Sequence, residues 1–378
     1  MPAIGPSRRQ SISRPLAVLC FSAIAILLFI YRAHTPSSKA SMAAKSNLLR
    51  RLPDYLKYVP VLYFHPDEEF FPSNMADFLL HVEPYLGLEP LKQAHDRRLT
   101  LDNINQLNNF GDRGRNVFLT SRDDPSTYPS WLQGNRPSTA GRSDAVVPVI
   151  FVERAIKDDQ GQDIEVVDMF SFYFYHFNAG PRLPKNPSHF FGDHIGDLEH
   201  SIVRFQDGKP ETVFLSRHAS ASIHAYESTQ KLESRPILFA GKGTHALYGI
   251  EGNHEYIMAD EDNTAILDYT SKGTLWDPSK NLWIYELSHE LSPEQMTLTA
   301  VEPSDAATSW YKFAGCWGDK TYKEDDHRQD LVCGVPKWVN GPAGIPYKIL
   351  ARISPEVNQP EKVLVSEPSV LVKRPWGT

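Results

Sequence analysis

Cysteine is scarce in this chain, and several catalytic and binding motifs are missing. The 378 residues include three cysteines, which excludes a disulfide-rich scaffold. Neither a Gly-x-Ser-x-Gly nucleophile elbow nor a phosphate-binding loop occurs, which argues against an α/β-hydrolase and a P-loop nucleotide-binding protein. The sequence also lacks an Asn-x-Ser/Thr acceptor for N-glycosylation. The formal net charge is −7 and basic residues cluster only in short pairs, so we expect no nucleic-acid partner.

The composition is that of a globular protein. Apolar residues make up 41% of the chain and charged residues 22%, a balance that supports a buried core and argues against disorder of the whole chain. The 29 prolines and 22 glycines are scattered. This distribution is typical of many turns between short strands.

One uncharged apolar segment lies near the N-terminus, at residues 16–31. Its length falls between the core of a signal peptide, about 7–15 residues, and a membrane-spanning helix of about 20. A transmembrane signal anchor and a cleaved signal peptide therefore both remain open. Basic residues flank the segment on both sides, so its orientation is weakly specified. We expect the membrane to be a partner through this segment.

The rest of the chain divides by composition into four further parts. We predict a short polar N-terminus (1–15), a polar linker (32–51), one β domain (52–353) and an extended tail rich in proline and valine (354–378). A lumenal location of the β domain would allow a disulfide between Cys316 and Cys333. The alternative is two free thiols.

The pattern within the β domain predicts a mainly β fold: an antiparallel β-sandwich with a few flanking helices and long loops. Residues 169–177 carry aromatic side chains on both faces that a strand would have. This pattern is typical of a central strand that is covered on both sides. Residues 59–66 are apolar between prolines, which favours an edge strand, and polar residues 111–144 predict a long surface loop. Further strands are predicted at 146–153, 198–205, 211–217, 235–241 and 282–287.

The densest group of chemically versatile side chains lies at residues 193–200. If Asp197 opens a strand, the period of two places Asp197 and Glu199 on one face, with His194 just before them. Two neighbouring carboxylates require a cation or a proton between them. Carboxylates with one or two imidazoles suit a divalent cation such as Mg²⁺, Ca²⁺, Mn²⁺ or Zn²⁺. His218 and His245 each follow a predicted strand and complete the candidate metal site. The alternative is a hydrogen-bonded polar turn without metal.

Several short motifs resemble one protein family, the fungal vacuolar protein sorting-associated proteins of the "sixty-two" class. They extend over almost all of the β domain and lie at residues 58–68, 70–73, 194–200, 215–218 and 243–246. Leu198 stands where the family usually has tryptophan. The resemblance implies a role in delivery to the vacuole and does not imply a known reaction.

A more distant similarity links the same region to the necrosis-inducing, cytolysin-like proteins. Their heptad Gly-His-Arg-His-Asp-Trp-Glu lies on a β-sandwich and binds a divalent metal. It carries over onto His194, Asp197 and Glu199, whereas Gly196 stands in the place of the second histidine. This similarity implies an all-β fold, a metal on these three residues and a link to membranes.

These observations favour a membrane-anchored, non-enzymatic protein of the vacuolar or endomembrane system, single-pass, acting in vacuolar protein sorting or in binding a lipid or glycan. Two alternatives stay open. A metal-dependent hydrolase would use Asp197 or Glu199 to activate a metal-bound water. A secreted cytolysin-like protein would require cleavage of the N-terminal segment.

Overall fold

A computed structural model describes residues 50–95, 98–157, 160–183, 186–218, 220–259, 264–288, 296–332, 334–346 and 348–349. The apolar segment at 16–31 and the tail at 354–378 lie outside the described residues, so both remain predictions. The chain divides into two compact units, residues 1–54 and 55–378. Only residues 50–54 of the first unit are described, and they are helical. Among the described residues, no helix is both long and apolar enough to cross a membrane.

The second unit consists mainly of strands. Among its described residues, the α-helices with defined bounds are α1 (Met75–His81) and α2 (Lys92–His95). The strands are β1 (Val61–Tyr63), β2 (Val82–Leu86), β3 (Glu89–Pro90), β4 (Val117–Ser121), β5 (Val147–Lys157), β6 (Asp163–Asn178), β7 (Arg182–Leu183), β8 (Asn186–Phe190), β9 (His194–Gln206), β10 (Lys209–Arg217), β11 (Ser220–Ala225), β12 (Lys231–Leu232), β13 (Arg235–Ala240), β14 (Leu247–Tyr248), β15 (Gly252–Ala259), β16 (Thr264–Thr270), β17 (Leu275–Trp276), β18 (Leu282–Leu287), β19 (Leu298–Glu302), β20 (Leu331–Val332) and β21 (Val335–Pro336). Short 3-10 helices occupy Ile104–Asn109, Asp112–Gly114, Pro125–Thr127, Ser130–Gln133, Tyr226–Ser228, Pro278–Lys280 and Ser309–Lys312.

The largest described sheet, called the main sheet below, has the strand order β11-β10-β9-β6-β5-β18-β19. Its neighbouring strands are antiparallel except β5 and β18, which are parallel. The aromatic strand β6 lies in the interior of this sheet and is buried on both faces, as predicted. The predictions of a mainly β fold and of mostly antiparallel sheets are therefore confirmed.

A second sheet, the small sheet, has the order β12-β13-β1-β17, with β14 paired to β13. The prediction of an edge strand at residues 59–66 is wrong, because β1 lies between β13 and β17. The reason is that the paired residues are only Val61–Tyr63. Pro60 and Pro66 fall outside them, so the missing N–H groups do not interrupt the ladder.

The two sheets pack face to face, and the other face of the main sheet is covered by α1 and loops. Tyr173 of β6 contacts Trp276 of β17, with ring centroids 5.5 Å apart. On the opposite face, Phe174 packs on Phe78 of α1 at 5.1 Å and on Trp317 at 5.7 Å. The aromatic residues at alternate positions of β6 thus fill two separate apolar layers.

The polar region at residues 111–144 is not the long surface loop that its composition predicted. It contains β4, which pairs with β2 and buries Val117 and Leu119 completely. Two 3-10 helices follow β4. The apolar run of β4 is short and flanked by polar residues, which explains why composition alone conceals it.

Candidate functional site

Strand β9 presents its acidic residues to the interior between the two sheets. Asp197 lies opposite Tyr175, and Glu199 opposite Tyr173, in the register of β9 with β6. Asp197 and Glu199 are 6% and 7% exposed. The strand period therefore places both carboxylates on one face, as the sequence predicted. His200 occupies the other face and stacks on Phe172, with ring centroids 5.5 Å apart.

Gly196 shapes the start of this strand. Its φ of +67° lies in the left-handed region, and a Cβ at this position would lie 1.9 Å from the carbonyl oxygen of Trp317. Glycine is therefore required both by conformation and by close approach. Just before it, Nδ1 of the half-buried His194 lies 2.6 Å from the Gly196 carbonyl oxygen and donates to it. Burial lowers the pKa of His194.

The carboxylate of Asp197 is held by a buried histidine. Its Oδ2 accepts a hydrogen bond from Nδ1 of His245 at 3.0 Å, and its Oδ1 accepts from the backbone N–H of Leu198 at 2.8 Å. Nε2 of His245 lies 3.0 Å from the carbonyl oxygen of Phe70. A carboxylate and a carbonyl only accept hydrogen bonds, so both ring nitrogens of His245 carry protons. His245 is therefore an imidazolium, paired with an ionised Asp197.

The electrostatics of the pair agree with this protonation. Burial raises the pKa of Asp197, but the hydrogen bond and the charge of His245 outweigh it, and the pKa is lowered. Burial lowers the pKa of His245, but the hydrogen bond to Asp197 and the charge of Glu68 outweigh it, and the pKa is raised. The imidazolium ring also lies flat on Tyr175, with centroids 3.7 Å apart, which favours the cationic form.

The turn before β14 aims His245 at Asp197. His245 has a φ of +56°, a left-handed conformation that costs a non-glycine residue on the order of 1 kcal/mol. The hydrogen bonds at both ring nitrogens offset this cost. Gly243 in the same turn donates its N–H to Oε2 of Glu68 at 2.8 Å. Glu68 therefore ties the segment before α1 to this turn.

Glu199 has a different partner. Its Oε2 accepts a short hydrogen bond from the hydroxyl of Ser216, which in turn accepts the backbone N–H of His200 at 2.8 Å. Burial raises the pKa of Glu199 to about 7, and the neighbouring charge of Asp197 adds to the shift. Lys348, whose Nζ donates to the Leu198 carbonyl oxygen at 2.6 Å, lowers the pKa of both carboxyls.

A fourth carboxylate, Asp268 of β16, completes the network. It accepts hydrogen bonds from Nε2 of His218 at 2.6 Å, from Thr244 at 2.7 Å and from the hydroxyl of Tyr248 at 2.6 Å. Burial raises its pKa, but the hydrogen bond and charge of His218 outweigh it, and the pKa is lowered. His218, like His245, has a positive φ, here +46°. Histidine adopts this conformation more readily than most residues.

These residues form one polar cluster between the sheets. We define it by the side chains just described: Glu68, Asp197, Glu199, Ser216, His218, Thr244, His245 and Asp268. Of the five predicted site residues, the structure joins Asp197 to His245. His194 and Glu199 lie on the same strand with separate partners, and His218 binds Asp268.

The arrangement of these side chains does not assemble a metal site by itself. Among the residues that the structure describes, no group of three or more His, Cys, Asp or Glu side chains could hold a metal ion. Both oxygens of Asp197 and both nitrogens of His245 already have partners. The predicted divalent cation stays a prediction.

Several members of the cluster were not predicted from the sequence. Glu68, Thr244 and Asp268 each lie more than twenty residues along the chain from their partners, at separations of 175, 24 and 50. Glu68 lies in the motif at residues 58–68, which could have indicated its role. Asp268 and Lys348 lie in none of the motifs.

The predicted disulfide falls partly outside the described residues, because Cys333 is not among them. Cys316 is half-buried, and burial raises the pKa of its thiol to about 11. The bridge stays a prediction.

Comparison with known proteins confirms the resemblance seen in the motifs. The chain is 29% identical to the vacuolar protein sorting-associated protein 62 of Saccharomyces cerevisiae over 324 residues, which cover 78% of this chain and 65% of that protein. It is also 29% identical to the yeast protein named "Putative vacuolar protein sorting-associated protein TDA6". That match extends over 331 residues, which cover 80% of this chain and 68% of TDA6. The match thus spans slightly less than two thirds of the first relative. No family model matches the chain, and no solved structure matches it.

Proposed function

We propose that this protein acts in vacuolar protein sorting as a non-enzymatic component of the endomembrane system. The similarity to two yeast proteins named for vacuolar sorting supports this role. The structural observation that carries it is the convergence of four motif segments on the polar cluster. Glu68, Glu199, Ser216 and His245 come from these four segments, and each is hydrogen-bonded within the cluster or to the segments around it.

The bonding of the Asp197–His245 pair favours a structural role over catalysis. A general base must reach a proton of the substrate. His245 is completely buried, and its two N–H groups are used by Asp197 and Phe70. The pair therefore holds the turn before β14 against β9, as a joint between the main sheet and the small sheet.

The ligand of this protein would be a lipid or a glycan, and a membrane would hold the chain. The rigid joint would present the loops at this end of the sandwich to a lipid or a glycan. The segment at 16–31 would hold the protein to a vacuolar or endomembrane bilayer by a single span. Detergent, but not alkaline carbonate, should then release the full chain from a membrane fraction. A mature N-terminus beyond residue 31 would instead show a cleaved signal peptide.

Sorting can be tested in yeast cells that lack both relatives. We expect these cells to secrete an increased share of a soluble vacuolar peptidase, and we expect the full chain to restore its retention. His245→Phe keeps an aromatic ring on Tyr175 but removes both donors, so it should restore retention poorly. His254→Gln, outside the polar cluster, serves as the matched control. Continued secretion despite wild-type protein at normal levels in the endomembranes would contradict the proposal.

A further inference from the structure

A cavity of about 200 Å³ lies between α2 and the 3-10 helix Ile104–Asn109. Its apolar part is supplied by Ala94, Leu99 and Leu107, which are buried and belong to the same apolar core as Phe78 of α1. A single water molecule needs about 10–15 Å³. The cavity therefore has room for a small organic group.

The polar part of the cavity consists of four primary amides, from Gln93, Asn103, Gln106 and Asn109. All of them except Asn103 are exposed, so a ligand can reach them from solvent. Of the described residues that line the cavity, none is charged. An apolar wall with a few polar groups is the usual lining of a small-molecule site.

Two asparagines hold the 3-10 helix in place next to the cavity. Just before the helix, Oδ1 of Asn103 accepts the backbone N–H of Thr100 at 2.9 Å, and its Nδ2 donates to the Arg98 carbonyl oxygen at 3.0 Å. Near the end of the helix, Nδ2 of Asn108 donates to the Lys312 carbonyl oxygen at 2.6 Å. This wall of the cavity is therefore formed without a ligand, which lowers the cost of binding.

Two of the lining amides are available to a ligand. Among the described residues, the side chains of Gln93 and Asn109 have no hydrogen-bond partner. Each of these amides offers an NH₂ group as donor and a carbonyl oxygen as acceptor. The half-buried ring of Phe110 lines the same cavity and adds an aromatic surface.

We propose that this cavity binds one uncharged sugar residue of a glycan. A hydroxyl group both donates and accepts hydrogen bonds, so two neighbouring hydroxyls of a sugar match the two polar atoms of one amide. The C–H groups of the sugar ring would pack against Phe110 and the buried apolar side chains. A phosphorylated lipid headgroup is the poorer match, because phosphate is bound best by cationic side chains.

An extended peptide also fits this lining less well than a sugar. Peptides that are recognised through their main chain typically add to an open sheet edge. The cavity is instead lined by side chains of α2, of the 3-10 helix and of the residues around it. Binding of a peptide is therefore an outcome that the test must distinguish.

Use of the cavity in sorting rests on the proposed function, whose ligand it narrows to a glycan, whereas sugar binding itself does not. The two can fail separately, because the sorting assay reports on cells and sugar binding is measured on purified protein. Sugar binding by a chain that does not restore sorting would contradict the proposed function alone. Restored sorting without sugar binding would contradict the glycan site alone.

The test is saturation-transfer NMR of the purified full chain with the methyl glycosides of mannose, glucose, galactose and N-acetylglucosamine. At least one of them should bind. Gln93→Ala and Asn109→Ala should each weaken its binding about threefold to tenfold, which corresponds to the loss of one hydrogen bond. The double variant should lose detectable binding. Both side chains are exposed, so these variants should fold.

Asn105→Ala is the matched control, because Asn105 lies in the same 3-10 helix but outside the cavity lining. This variant should bind the sugar as the wild type does. The proposal is overturned if none of the four glycosides binds, or if the double variant binds as tightly as the control. It is also overturned if a blocked dialanine peptide binds more tightly than every glycoside and loses its binding in the double variant.

Discussion

Nδ1 of His245 lies 3.0 Å from Oδ2 of Asp197, which joins a turn of the small sheet to the main sheet through an ion pair. The imidazolium supplies positive charge next to the buried carboxylate of Asp197. A proton on a histidine thus compensates the charge of Asp197, with Lys348 acting on the same carboxylate. This relationship determines what substitutions at the site should do.

Breaking the pair should strongly destabilise the fold. Asp197→Asn and His245→Phe each leave one buried charge or donor without its partner, which costs about 3–5 kcal/mol. The double variant should cost less than the sum of the two, by about 1–3 kcal/mol of coupling. Urea unfolding of the four proteins measures this. Asp197→Asn combined with His254→Gln is the control and should show additive effects. Additivity in the Asp197–His245 cycle itself would show that the pair contributes nothing specific.

Much of this region could be predicted from the sequence, because it depends on local period. The alternation of Asp197 and Glu199 on β9, and the aromatic residues of β6, follow from strand geometry alone. Strand geometry does not predict which group compensates the charge of Asp197, because His245 lies 48 positions from Asp197 in the sequence. Pairing between sheets decides that contact. The interior position of β1 could not be predicted from the sequence either. Prolines next to a strand are compatible with an interior strand as well as with an edge strand.

A buried acid outside the polar cluster should make stability depend on pH. Asp319 is 3% exposed, accepts the N–H of Ser121 at 2.6 Å and accepts a short hydrogen bond from Tyr322. Burial raises its pKa to about 6. Between the unfolded value of about 3.9 and 6, the native state holds more protons than the unfolded state. The free energy of unfolding should therefore fall as pH rises through this window, by roughly 3 kcal/mol in total.

Asp319→Asn should make this decline less steep, as urea unfolding at a series of pH values can show. Part of the decline should remain, because burial also raises the pKa of Glu199, to about 7. Asp326 provides a control of opposite sign, because its hydrogen bond with Arg328 lowers its pKa to about 2. The stability that the ionised Asp326 contributes is lost only as pH falls below about 4. Asp326→Asn should leave the decline between pH 4 and 6 in place. An unchanged slope in Asp319→Asn would show that this carboxyl does not carry the effect.

The predicted disulfide between Cys316 and Cys333 requires labelling of unfolded protein. Burial alone protects the Cys316 thiol and raises its pKa, so slow labelling of the native protein does not prove a bridge. In denaturant without reductant, the Cys20→Ser variant should react with maleimide only after reduction. The bridge should contribute about 3 kcal/mol. Immediate labelling of two thiols before reduction would contradict it.

A divalent cation at His194, Asp197 and Glu199 would have to compete with the proton on His245. The imidazolium lies against Asp197 and repels a second cation there. Its raised pKa means that the proton is lost only as pH rises, so cation binding should tighten with pH. His245→Phe should bind the cation more tightly than the wild type at acidic pH.

The measurement is Tm of the dialysed full chain with added Mg²⁺, Ca²⁺, Mn²⁺ or Zn²⁺, together with elemental analysis. A bound cation raises Tm by mass action, and Asp197→Asn, which lacks the ligand charge, should lose the shift. A chelator should reverse it in His245→Phe. If none of the four cations changes the Tm of the wild type or of His245→Phe at any pH, the predicted metal site does not exist. Asp197 is then compensated by neighbouring side chains, chiefly by His245.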